Sequence, residues 1–454
     1  MIFEKVKSQV VSHLSYLIGS EAEAVVVDPQ RDCRVYVDIA QREGLQIKHV
    51  FETHRNEDYV VGSLELSALT GASIHHGPWP QYRYGEVLRD GQTFQVGKLE
   101  VKAIHTPGHT PGCMSYAVAD KATGGETVLA CTGDTLFVNE VGRTDFGGPG
   151  KRREWSENLY DSIHNKLLPL GDHVIICPAH GSGSVCGSGI AAREFSTIGA
   201  ERRMNPYLKI SKEEFVAHKV NEHHHYAPYF KMMEKLNVEG APPVGSGPNP
   251  PPLTPKKLWE MVEAGAVIAD TRPPPSFGAG HIAGSYSLPL ARLGVGGFVL
   301  PYDKPILLVV GTQSQLDYTT RSLMRMGYDN LRGYLGGTIV TWYKEALPVT
   351  TLSLMTVTDL KERMSQEEWF ILDVRSEDEH SQGHIEGSLN LYAGTLDDNH
   401  RRILRDKPVA VMCKTGTRSS FACSILLRHG FKNLHNVLGG MDAWKYKGYP
   451  TSKR

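Results

Sequence analysis

Pro408-Val-Ala-Val-Met-Cys-Lys-Thr-Gly-Thr-Arg-Ser-Ser420 reads as a buried strand, a tight polar turn and the start of a helix. The run Pro408 to Met412 is short and continuously apolar, as a strand covered on both faces requires. Phe421, Ile425 and Leu426, just beyond the turn, have helical spacing. A strand, a turn and a helix in that order are the unit of an α/β fold with a parallel sheet. Cys413 stands at the end of the strand, facing backbone N–H groups and the positive end of the helix dipole. Those donors favour the thiolate, so a lowered thiol pKa is expected. Lys414 and Arg418 add positive charge. The cradle suits a thiolate, a persulfide or a bound oxyanion, with Cys413 as the nucleophile.

The same pattern occurs once more, 103 residues earlier. Asp270-Thr-Arg272 matches Asp373-Val-Arg375, and Gly280-His-Ile-Ala-Gly-Ser285 matches Gly383-His-Ile-Glu-Gly-Ser388. Asp303-Lys-Pro305 matches Asp406-Lys-Pro408, and Leu335-Gly-Gly337 matches Leu438-Gly-Gly440. An offset that does not slip over so long a stretch marks a duplicated domain, too long for a solenoid repeat. Upstream, Ala241 to Pro255 holds seven prolines in fifteen residues and reads as an extended linker. The expected organisation is a domain over 1–240, a linker over 241–255, and two related domains over 256–350 and 355–454. That agrees with the roughly three domains that 454 residues suggest at about 150 each.

Composition narrows the function classes. With 40% apolar and 22% charged residues, the chain is not mainly disordered. A net charge of −1 gives no global field to draw nucleic acid or an anionic membrane, so neither is expected as a partner. The longest apolar run beside a strand signal, Ile306 to Val310, is far too short to cross a bilayer. The first residues carry no continuous apolar stretch, so a cytoplasmic setting with free thiols is expected. Seven cysteines include no CxxC pair, so no zinc knuckle is signalled.

Residues 355–454 resemble the rhodanese sulfurtransferases, through the Asp-Val-Arg strand, the Gly-His-Ile-Glu-Gly-Ser turn, the loop from Cys413 to Arg418 and the Leu-Gly-Gly-Met-Asp-Ala-Trp ending. The resemblance implies that Cys413 carries sulfane sulfur as a persulfide. The loop length is the one that goes with sulfur rather than phosphate substrates in that family. The earlier copy departs from the pattern: Val310 stands where Cys413 stands, and Val310-Gly-Thr-Gln-Ser-Gln315 has neither thiol nor arginine. A catalytically silent packing or positioning module is expected there. His281 and His384 lie in matching turns of both copies, which points to a structural role.

In the first 240 residues a His or Asp repeatedly follows an apolar strand: Val25-Val-Val-Asp28, His49-Val-Phe-Glu-Thr-His54, Leu99 to His109, Val128 to Asp134 and His173 to His180. Strand ends aligned in a sheet can aim such side chains at one point, which suits a metal. The region resembles the metallo-β-lactamase superfamily through Thr53-His54-x-x-x-Asp58, Thr106-Pro-Gly-His-Thr-Pro-Gly112, Gly133-Asp134 and Ala179-His180. Gly142-Arg-Thr-Asp-Phe146 and the rhodanese fusion place it near the persulfide dioxygenases. The resemblance implies an αββα sandwich, followed by two rhodanese-like α/β domains with parallel sheets. It also implies a mononuclear Fe(II) on two His and one Asp, with zinc as the alternative, and a homodimer or homotetramer.

The metal motif is altered. Asn56 and Tyr59 replace two family histidines. Asn56 stands where the dioxygenases have an iron ligand, and loss of the histidine at Tyr59 disfavours a dinuclear zinc site. His54, His109 and Asp134 remain as ligand candidates, with Asp58 and His180 as further ones. Three outcomes are open: His54 completes the site, Asn56 is a weak third ligand, or the metal is lost. Arg143 is a candidate to grip a substrate carboxylate, against an internal pair with Asp145 or Glu140. The glycine-rich stretch Gly181 to Gly189 lacks a phosphate-loop ending, and its Cys186 reads equally as accessory or packed thiol. His223-His-His225 reads as a solvated run. The expected activity is oxidation of a low-molecular-weight thiol persulfide to sulfite, with sulfur exchanged through Cys413 among persulfide, thiosulfate and sulfite. The alternative is a sulfurtransferase whose front domain only binds a thiol or hydrolyses a thioester.

Overall fold

The computed structural model describes residues 1–8, 10–187, 189–245 and 247–453. The chain divides into two compact units, Met1–Gly247 with Arg325–Gly327, and Pro248–Met324 with Tyr328–Arg454.

The first unit is built on two sheets. One has six strands in sequence order: β1 (Ile2–Ser8), β2 (His13–Ser20), β3 (Glu23–Val27), β4 (Gln46–Phe51), β5 (Ser73–His76) and β6 (Glu86–Val87). The other has five, ordered β13-β10-β9-β8-β7, from β7 (Thr93–Val96), β8 (Leu99–His105), β9 (Met114–Asp120), β10 (Thr127–Gly133) and β13 (Ile175–Pro178). A short ribbon, β11 (Leu136–Phe137) and β12 (Glu140–Val141), lies between the last two in sequence.

The period-two alternation of each strand assigns its residues to layers. Tyr16, Ile18, Val25 and Val27 of the first sheet meet Val101, Met114, Tyr116, Leu129 and Cys131 of the second in one core. Their neighbours Leu17, Ala24 and Val26 point outward onto Tyr36 and Ile39 of helix Arg34–Arg42 and Leu66 of helix Ser63–Thr70. Ala130 and Ile176 likewise point outward, onto Leu159 of helix Arg152–Ser162 and Phe215 of helix Lys212–Asn221. The result is the expected αββα sandwich. Its inner strands are apolar on both faces because both faces are covered. β3 and β4 run parallel, as do β10 and β13, so their C-terminal ends share an edge.

The second unit holds two parallel five-stranded sheets. The first runs Pro252–Leu253, Leu331–Leu335, Ile306–Val309, Val267–Asp270, Tyr286–Ser287. The second runs Ser353–Thr356, Leu434–Leu438, Val409–Met412, Phe370–Asp373, Leu389–Asn390. The repeat explains its own motif. Asp373 ends a strand and takes the Arg375 guanidinium at 3.0 Å, while Arg375 Nη2 donates to the Gly383 carbonyl at 2.9 Å. Asp270, Arg272 and Gly280 do the same in the first copy. His281 stacks on Phe277 and His384 on His380, each pair at 3.8 Å, and each histidine Nδ1 contacts the stacked residue's carbonyl.

The proline-rich stretch is more ordered than its composition suggests. Val244 and Gly245 donate their N–H groups to Glu65, and Pro252–Leu253 adds an edge strand, where a missing N–H is tolerated. Pro255 opens helix Pro255–Glu263 at its first position, capped by Thr254. Ser246 lies outside the described residues.

Candidate metal and sulfur sites

Strand ends deliver the first site. After β4, the loop Glu52 to Tyr59 turns inward, and every residue of it is buried. The Asp28 carboxylate, just past β3, accepts from the Thr53 backbone N–H and hydroxyl, both at 2.8 Å. Thr53 Oγ1 lies 2.8 Å from His54 Nδ1, which leaves Nε2 as the free end of His54. Burial pushes Asp28 up to about 7 despite these bonds. His109 is oriented in a similar way, its Nδ1 2.9 Å from the Arg143 carbonyl. Gly133 adopts φ +53° at the turn into Asp134, and a Cβ there would sit 2.7 Å from that of Thr53. A side chain would therefore be both strained and crowded.

Four side chains converge. Asp134 Oδ2 is 3.7 Å from His54 Nε2 and 3.6 Å from His109 Nε2, and Glu57 Oε2 is 4.0 Å and 3.5 Å from the same nitrogens. All four side chains are fully buried. His54 Nε2, His109 Nε2 and Glu57 Oε2 have no hydrogen-bond partner. Orphaned buried polar atoms are costly, and three facing one point need an explanation. Donors about 2.1 Å from one ion stand about 3.4 Å apart in a tetrahedron, so this spacing fits a first-row metal. Burial lowers His54 to about 4, keeping it neutral as a ligand must be. Burial would raise Glu57, but His109 and Arg55 outweigh it and hold it below the usual range.

Glu57 is the donor that sequence reasoning missed. The sequence analysis assigns no role to this position between Asn56 and Asp58, and its place in the metal loop is the one signal that flags it. Asn56 turns its amide to the His54 carbonyl at 3.3 Å. Tyr59 stacks on His13 with ring centroids 3.8 Å apart. Asp58 and His180 stand to one side: His180 Nδ1 is 2.7 Å from Asp134 Oδ1, and its Nε2 is 3.2 Å from Asp58 Oδ1. Burial opposes charge on His180, but these two carboxylates push its pKa well above the usual value. The Arg143 fork is occupied internally, by Asp145 at 2.6 and 2.7 Å, with the ring of Phe146 beneath it.

The second site is the loop after Val409–Met412. Cys413 Sγ accepts from the Gly416 N–H at 3.1 Å and the Ser419 hydroxyl at 3.4 Å. Both contacts are of the kind that stabilises a sulfur anion. The Gly439-Gly440 pair supports the loop from below: a Cβ on Gly440 would sit 2.3 Å from the Cys413 carbonyl. Lys414 is exposed. Arg418 forms a two-pronged pair with Glu379 at 2.6 and 2.7 Å, so its fork, like that of Arg143, is engaged. Burial would raise Glu379, yet Arg418 holds it at about 2. In the first rhodanese-like copy, the Thr312 N–H donates to the Gln315 side chain at 3.2 Å, so the turn caps itself. Ser287 of that copy contacts Ser420 of the second one at 2.7 Å.

The metallo-beta-lactamase superfamily model matches residues 9–180, and the rhodanese-like domain model matches 254–345 and 356–447. The persulfide dioxygenase ETHE1 of Bos taurus is 31% identical over 232 residues, 49% of this chain and 77% of that protein. The chain belongs to the metallo-beta-lactamase superfamily, as a persulfide dioxygenase-like member. The persulfide dioxygenase ETHE1 of Homo sapiens is 30% identical over 210 residues, 44% of this chain and 74% of that protein. A solved metallo-beta-lactamase from Staphylococcus aureus aligns with TM-score 0.66 at 27% identity, covering 74% of this chain and 98% of its own. The superfamily implies a metal site, and the donors described above fit one. No helix among the described residues is long and apolar enough to cross a membrane.

Proposed function

We propose that this persulfide dioxygenase-like protein oxidises a low-molecular-weight thiol persulfide to sulfite at a non-haem iron, and passes sulfane sulfur through a persulfide on Cys413. The observation that carries the first half is the convergence of His54, Glu57, His109 and Asp134 with three of their atoms unpartnered. These four side chains would hold the iron, a metal whose redox chemistry zinc lacks. Iron bound there supplies the chemistry through which O2 becomes reactive. In balance, R–S–SH, O2 and H2O give R–SH, HSO3⁻ and H⁺; the outer sulfur loses four electrons, which O2 takes up.

The chain's own residues prepare this step. The Asp28–Thr53 pair fixes the ring of His54, and the Arg143 carbonyl fixes that of His109. Full burial of the donors keeps bulk water away. Arg143 grips a substrate carboxylate by exchanging Asp145 for it. At the second site, the Cys413 thiolate attacks the outer sulfur of thiosulfate, releasing sulfite, and the cradle stabilises the anion before and after transfer. Exposed Lys414 draws these small anions, and Arg418, tied to Glu379, braces the loop. The run in the opposite direction, persulfide plus sulfite giving thiosulfate, uses the same groups.

The second reading, a sulfurtransferase with a thiol-binding or thioester-hydrolysing front domain, gains support from Asn56 and Tyr59. The test is oxygen uptake by the iron-loaded chain with a thiol persulfide, with sulfite measured alongside. Matching amounts support the dioxygenase, and no uptake leaves the sulfurtransferase.

A further inference from the structure

We propose that the cleft between the two rhodanese-like copies is a binding site for a phosphate monoester with an apolar body, its phosphate held by Arg428 and Lys432. A cavity of about 530 Å³ opens there, lined on one side by His281, Thr350 and Thr351 and on the other by Arg428 and Lys432. A single inorganic ion would leave most of it empty, whereas organic ligands occupy cavities of about 300–1,000 Å³. No carboxylate stands among the described lining residues, and Val349, Leu427 and Phe431 give the cavity its apolar part.

The charge is uncompensated. Arg428 reaches from the last turn of helix Thr417–Arg428 to the Gly284 carbonyl of the other copy, and its guanidinium lies 4.4 Å over the ring of Tyr286. Among the described residues neither Arg428 nor Lys432 is ion-paired, whereas the forks of Arg143 and Arg418 are filled by carboxylates. The helix end carries about half a negative charge, which Arg428 alone exceeds. Lys432 is exposed and adds to the surplus. By the 103-residue offset it stands where the first copy has Asp329, so the cation is not a feature of the repeat. An adjoining hollow of about 180 Å³ shares Phe431 and Lys432 and adds Arg405, whose guanidinium lies 4.1 Å over the Phe431 ring. A concave site lined by one sign of charge concentrates the opposite ion.

His281 favours phosphate over other anions. The residue is 1% exposed, and its Nδ1 is tied to the Phe277 carbonyl at 2.9 Å, so Nε2 is its free polar atom. A phosphate monoester with a second pKa near 6 and an imidazole near 6.5 share one proton, which a sulfate ester cannot supply. The site is separate from the sulfur chemistry: twelve residues of helix, about 18 Å, lie between Arg428 and the Cys413 loop. The inference is independent of the persulfide reading.

The test is calorimetric titration of the full chain with phenyl phosphate, set against phenyl sulfate. The expected result is one phenyl phosphate per chain, phenyl sulfate bound more weakly, and a melting temperature that rises with phenyl phosphate concentration. Lys432→Gln, at an exposed side chain that holds nothing else, weakens binding about tenfold, and Arg428→Gln weakens it further. Should Arg428→Gln not fold, Lys432→Gln decides. The absence of saturable binding overturns the proposal, as does affinity unchanged in Lys432→Gln. Phenyl sulfate binding as tightly as phenyl phosphate refutes the phosphate assignment. Binding that thiosulfate abolishes places the anion at the Cys413 loop and refutes the site.

Discussion

Glu57→Ala separates two accounts of how an altered motif keeps its metal. Glu57 is fully buried, and its Oε2, without a hydrogen-bond partner, stands 3.5 Å from His109 Nε2 and 4.0 Å from His54 Nε2. Asn56, at the position of the family ligand, donates its amide N–H to the His54 carbonyl, while its Oδ1 is buried without a hydrogen-bond partner. Zinc bound by four donors in a small structural site is worth about 10–16 kcal/mol. One donor in four then contributes about 2.5–4 kcal/mol, or roughly 10² to 10³ in affinity at 1.4 kcal/mol per tenfold. A hundredfold loss at fixed saturating metal removes about 2.7 kcal/mol of linked stability. For a unit of this size, that is about 5–10 °C in the melting temperature. The assay compares melting with and without metal, because the substitution also changes the stability of the metal-free chain. Chelator competition gives the affinity directly. Glu57→Ala loses most of the metal-dependent shift, and Asn56→Ala keeps it. A variant at Glu57 that holds metal as tightly as wild type, or an Asn56→Ala that weakens it equally, would refute the assignment.

Other expectations are as direct. Cys413→Ser abolishes thiosulfate-to-cyanide sulfur transfer, and surviving activity would remove Cys413 as the nucleophile. Thr53→Val breaks the link from Asp28 to His54 and weakens metal binding about 10–100-fold without touching a ligand; unchanged affinity in chelator competition would count against that link. Glu379 is held at about 2 in the folded chain by Arg418. A carboxyl depressed in this way contributes stability that is complete above its unfolded pKa near 4.3 and fades as pH falls toward 2. Glu379→Gln should therefore flatten the loss of melting temperature between about pH 5 and pH 2.5, and an unaltered acid limb would contradict the pairing.

Where the reading depended on strand ends and local motifs, the sequence was enough. The apolar runs of the duplicated copies fall on parallel strands at matching positions, and Cys413 meets the N–H of Gly416 as its turn predicted. The meeting of His54, His109 and Asp134 was legible because three strand ends share one edge. Glu57 was not, because one residue between two motif positions carries no periodic signal, and its direction is set by the Arg55 guanidinium and the converging histidines. The partners of Arg143 and Arg418 were hidden for a different reason. An arginine that faces a substrate and one that braces a loop look alike until a nearby carboxylate, here Asp145 or Glu379, is placed. The proline-rich stretch is extended, as its composition implies, and its last prolines stand where proline is tolerated, Pro252 on an edge strand and Pro255 in the first turn of a helix.

The central claim is that the altered motif still holds a redox metal that serves persulfide oxidation. The most direct measurement loads the full chain with iron, counts bound ions, and follows O2 consumption and sulfite formation together on a thiol persulfide. The account predicts bound iron, one sulfite for each O2 consumed, and loss of both iron and turnover in His109→Ala. Oxygen uptake that is absent in iron-loaded protein, or undiminished in His109→Ala, would contradict it.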